Sequence, residues 1–122
     1  MQLVRRQEGA VQVVSFAGRV NLEGDTSLLF KDELKALIAD GNVYVVLDLG
    51  NVGFLDSQGL GALISCLKVL RQAGGGLALT NLSESVEAVL RITRLIRVFD
   101  VHPSVDAALA AAARPAAVGS EA

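Results

Sequence analysis

Val43-Tyr44-Val45-Val46-Leu47-Asp48-Leu49 and, after a four-residue break, Phe54-Leu55-Asp56-Ser57-Gln58-Gly59-Leu60-Gly61 form the stretch that decides the fold. The first part is almost continuously apolar, as expected of a strand covered on both faces in the middle of an α/β sheet. The second part leads into Leu60, Leu63, Ile64, Leu67 and Leu70, which share one stripe of a helix. Gly74-Gly75-Gly76 ends that helix, and Leu77-Ala78-Leu79-Thr80 reads as another buried strand. Strand, helix and strand in this order predict a parallel pair joined by a right-handed crossover.

Working outward, Val11 to Phe16 is rich in strand-forming residues, and the break at Arg6 to Ala10 predicts a hairpin with Leu3 to Arg5. Glu23-Gly24-Asp25-Thr26 opens a helix carrying Phe30, Leu34, Leu37 and Ile38 at helical spacing, and Asp40-Gly41 stops it. Toward the C-terminus, Ser83 begins a helix with Val86, Val89 and Leu90 on its inner side. Val98 to Val101 reads as a short strand, and Pro103-Ser104 starts an alanine-rich helix with Val105, Ala108 and Leu109 facing inward. The predicted order is β-β-α-β-α-β-α-β-α: a single α/β domain over residues 1–113, with a mixed, mainly parallel sheet and about four helices. Residues 114–122 are expected to form a flexible tail.

Bulk properties narrow the function. A chain of 122 residues with 52% apolar and 20% charged residues suits one globular domain with one core. A net charge of -2 and a pI near 5.3 give no electrostatic footprint for nucleic acid. No apolar run approaches the roughly 20 residues that cross a membrane, and the N-terminus carries no secretion signal, so a cytoplasmic protein is expected. Cys66 is the sole cysteine and lacks the Cys and His neighbours of a metal site; it reads as a small packed side chain, and no metal is expected.

The informative chemistry is at Asp56-Ser57, where a buried strand turns into a helix. Such a turn exposes its side chains while unsatisfied backbone N–H groups point outward. A phosphate on Ser57 would meet those donors and the positive end of the helix dipole, and would repel the Asp56 carboxylate beside it. The plainer alternative is that Asp56 or Ser57 simply caps the helix.

These residues resemble the STAS domains of anti-sigma factor antagonists. The resemblance runs from about Val11 to Leu109 and is densest in Val45 to Leu49, Phe54 to Gly61 and Gly74 to Asn81, continuing through Leu90 to Leu95 and Val98-Phe99. It implies that Ser57 is the serine phosphorylated by a cognate anti-sigma kinase. It also implies partner contacts by Asn21, Asp56, Ser57, Gln58, Gly59 and Leu60. Unphosphorylated protein would bind the anti-sigma factor and free a sigma factor; phosphorylation would release it, and a PP2C-type phosphatase would reset it. The protein itself is then the substrate, and no bound cofactor is implied. Three departures from the family pattern stand out: Arg19 and Asn21 replace an acidic pair, Gln58 replaces a second serine, and Arg94 replaces a glycine suited to left-handed backbone.

An enzyme is disfavoured. Gly59-Leu60-Gly61 lacks the third glycine of a dinucleotide fingerprint, since Ile64 stands there, and neither a Walker lysine nor a Gly-x-Ser-x-Gly elbow is present. His102, the one histidine, precedes a helix start and reads as a surface or capping residue. An alternative within the family is an interaction subunit of a stressosome or of a lipid or anion transport system. Leu55 and Leu60 fit core or interface, with core the plainer reading. Arg91, Arg94 and Arg97, spaced three apart, fit a solvated helix edge or a contact with an acidic partner or phosphate.

Overall fold

The computed structural model describes residues 1–112; the expected tail at 114–122 lies outside them. Strands β1 (Leu3–Glu8), β2 (Val11–Phe16), β3 (Val20–Leu22), β4 (Tyr44–Asp48), β5 (Val52–Leu55), β6 (Gly76–Thr80) and β7 (Asp100–His102) alternate with helices α1 (Gly24–Ala39), α2 (Ser57–Gln72), α3 (Glu84–Ile92) and α4 (Val105–Ala112). Five strands form one sheet in the order β1-β2-β4-β6-β7. β1 is antiparallel to β2, and the remaining pairs are parallel. The predicted order is that of this sheet and the four helices.

Register explains the apolar runs. Val13 pairs with Val46 and Val46 with Ala78, placing these three on one face under Ala108 of α4. Val14, Val45, Leu47, Leu77 and Leu79 point the other way, into the main core with Phe30, Leu34 and Leu37 of α1, Leu63, Cys66 and Leu70 of α2 and Leu90 of α3. A strand buried on both sides has no polar alternation to show.

Three boundaries differ from expectation. β1 runs on through Arg6 to Glu8, and the hairpin turn is just Gly9-Ala10, with Gly9 at φ +62°. The strand expected at Val98 to Val101 begins instead at Asp100, because Leu95–Arg97 form a 3₁₀ turn that tucks Phe99 into the core. β3 and β5, absent from the sequence reading, make a separate two-stranded parallel ribbon pairing Asn21 with Phe54 and Leu22 with Leu55.

Candidate functional site

The ribbon and the start of α2 build one surface. Leu22, Val52 and Leu55 anchor the ribbon in the core, whereas Asn21 and Phe54, opposite each other in register, are exposed. The chain leaves β5 at Leu55, and the Asp56 amide donates to the Leu22 carbonyl at 3.1 Å. Asp56 then adopts the extended backbone of an N-cap, with φ -96° and ψ -169°. Its Oδ1 accepts from the Gly59 amide at 2.9 Å, and its Oδ2 accepts from the Gly24 amide of α1 at 3.3 Å. Glu23, at the N-cap of α1, makes no side-chain cap bond, so Asp56 serves the first turns of both helices.

Asp56 is thus the cap, and Ser57 is the first helical residue. Ser57 and Gln58 are exposed, and no protein acceptor engages their amides among the described residues. Those two donors are oriented as a helix N-terminus orients them, a setting that favours an anion.

The other expected contact residues divide by depth. Asn21 is exposed and Asp56 half-buried; Leu60 is half-buried and packs against the core. Gly59 is buried, and a Cβ there would overlap the Leu22 carbonyl oxygen and approach the Leu22 and Leu55 Cβ atoms to 3.0 Å. Its part is therefore close approach of helix to ribbon, and it offers a partner no side-chain surface. Gly61, in contrast, faces open space.

Sequence reasoning did not single out Phe54 or Leu28 as exposed, yet they are 43% and 53% accessible. Leu28 lines a groove of about 520 Å³ between α1 and α2, with Lys31, Gln58 and Gly61 among its walls. The available signal was that Leu28 falls off the stripe of Phe30, Leu34 and Leu37. Arg19 and Asn21 flank Gly53 in a smaller hollow on the ribbon. His102 lies at the end of β7 with Nε2 3.0 Å from Asp100 Oδ1, and no hydrogen bond joins it to Ser57 among the described residues. No group of three or more His, Cys, Asp or Glu side chains among the described residues is placed to hold a metal ion. No described helix is long and apolar enough to cross a membrane.

Residues 3–108 match the STAS domain, and the chain belongs to that family. Its relatives include an anti-sigma factor antagonist of Bordetella bronchiseptica, BtrV, 33% identical over 91% of this chain and 94% of that protein. The anti-sigma-B factor antagonist of Bacillus subtilis is 32% identical over 80% of this chain and 78% of its own length. A crystal structure of an anti-sigma factor antagonist from Thermotoga maritima superposes with a TM-score of 0.80 at 26% identity, covering 88% of this chain and 91% of that one.

Proposed function

We propose that this protein is an anti-sigma factor antagonist that acts by binding, and that phosphorylation of Ser57 switches the binding off. Exposure of Ser57 as the first residue of α2, directly beside the Asp56 cap, carries this reading. Asn21, Phe54, Gln58 and Leu28 give the surrounding face an uncharged, partly apolar portion, with Asp25, Lys31 and Arg19 around it, a mixture suited to a protein partner. The partner is an anti-sigma factor with serine kinase activity, and a PP2C-type phosphatase removes the phosphate.

Phosphate adds up to two negative charges at the centre of this face. The Ser57 and Gln58 amides and the helix dipole support it in the free protein. In the complex the same charge would have to be desolvated next to the Asp56 carboxylate. The charge therefore stabilises the free form relative to the bound form.

Incubation with candidate anti-sigma kinases and ATP, followed by mass spectrometry, should place the phosphate on Ser57. Ser57→Ala should keep the affinity of the unmodified protein for the kinase, and Ser57→Asp should lose at least tenfold by calorimetry. Phosphate mapped elsewhere, or equal affinities for the two variants, would sink the switch.

A further inference from the structure

Arg91, Arg94 and Arg97 follow one another through the end of α3 and the turn after it, and Arg71 reaches that turn from α2, away from Ser57. Arg91 is in the last turn of α3, Arg94 follows that helix, Arg97 ends the 3₁₀ turn, and the Arg71 guanidinium from the end of α2 donates to the Val98 carbonyl at 3.3 Å. Arg91 is paired with Glu87 at 2.6 Å, but no carboxylate among the described residues forms an ion pair with Arg71, Arg94 or Arg97. Such a concentration runs against the net charge of -2. Within the same segment Ile92 is 81% exposed and Val98 42% exposed.

A solvated helix edge does not describe this arrangement. The helix ends at Ile92, and Arg94 is left-handed at φ 64°, so Arg94 and Arg97 are presented from a tight turn. Left-handed backbone suits glycine and strains a residue with a Cβ. Arg94 thus takes the left-handed position that follows the Thr93 C-cap, with Arg97 one turn on and the nearly bare Ile92 two residues before it.

We propose that this turn is a second docking surface, for an acidic protein segment carrying an apolar side chain. Carboxylates of that segment match the planar forks of Arg71, Arg94 and Arg97, and its apolar residue covers Ile92. A membrane surface fits less well: Val86 and Leu90, the inner side of α3, are buried in the core, which leaves no broad apolar face to insert. Ser57 and Arg71 stand at opposite ends of α2, about 20 Å apart along its axis. That exceeds two screening lengths of about 8 Å at physiological salt, so charge at Ser57 leaves the second surface unaltered.

The test titrates the full-length protein, by fluorescence anisotropy, with a labelled peptide of glutamates and aspartates around one central leucine. Saturable binding is expected, weakened at least tenfold by Arg94→Glu combined with Arg97→Glu, and several-fold by Ile92→Ser. Ser57→Asp should bind the peptide unchanged. Arg94→Gly should raise the thermal midpoint by relieving the left-handed strain while reducing peptide affinity, a split that a purely structural arginine would not give. Failure to saturate at millimolar peptide, or equal affinity when the peptide leucine is replaced by serine, overturns the proposal. So does stronger binding, through Ile92, to phosphatidylglycerol vesicles, or self-association in sedimentation that the arginine reversals abolish.

Discussion

Asp56 holds two helices with one carboxylate, its Oδ1 on the Gly59 amide of α2 and its Oδ2 on the Gly24 amide of α1. Asp56→Ala leaves both donors without this acceptor and should lower stability by about 1–2 kcal/mol in urea unfolding. Asp56→Asn keeps one carbonyl oxygen and should lose less. A different single residue contributes to the loss of stability in alkali. Burial pushes the Cys66 thiol up from 9.0 to about 11, against the weaker opposing pull of Lys35 and Lys31. Well below pH 9.0 the thiol is protonated in both the folded and unfolded chain, and its contribution is fully present. Between the two values the unfolded chain has lost its proton while the folded one keeps it, so stability falls by roughly 1.4 kcal/mol per pH unit. Cys66→Ala, less stable at neutral pH because it opens space in the core, should show a shallower decline between pH 8 and pH 10.5 than the unsubstituted protein.

At the scale of the element, the start of α2 places two glycines in different surroundings. Gly59→Ala drives a methyl against the Leu22 carbonyl and should cost about 1–3 kcal/mol, as overpacking does. Gly61→Ala meets open space inside a helix and should gain roughly 0.5–1 kcal/mol. Thermal unfolding of the two variants should therefore move in opposite directions. Helical spacing puts Gly59 on the stripe of Leu63, Cys66 and Leu70 and Gly61 off it, but that a Cβ at Gly59 would strike Leu22, distant along the chain, could not be read from the sequence. The ribbon escaped notice for a related reason. Val20-Asn21-Leu22 is too short to display a period, and its partner Val52–Leu55 lies beyond α1 and β4. The central strands were legible because covering on both faces leaves an unbroken apolar run, as in Val45-Val46-Leu47. Helix starts were legible because their caps are local: Ser83 Oγ accepts from Val86 and Ser104 Oγ from Ala107. Position Ser57 could be read from its turn. The exposure of Phe54 could not, because an apolar side chain on the surface of a short strand carries the same letter as one in the core, whereas Ile92 falls off the stripe of Val86, Val89 and Leu90.

At the scale of the whole molecule, the main sheet is held from both sides, by α1, α2 and α3 on one face and by α4 on the other. Its central strands bury Leu47 and Leu79 completely. The β3–β5 ribbon has a different standing: it belongs to no part of that sheet, and is rooted by Leu22, Val52 and Leu55 in the core, by the partly buried Val20 against it and by the Ser83 hydroxyl, which donates to the Val52 carbonyl. In deuterium exchange followed by NMR, the Leu47 and Leu79 amides should exchange only through global unfolding. Those of the ribbon should exchange earlier, through local opening. With that order of exchange, the face leading into Ser57 would be a softer body hung on a stiff frame, able to adjust to a partner without disturbing the sheet behind it.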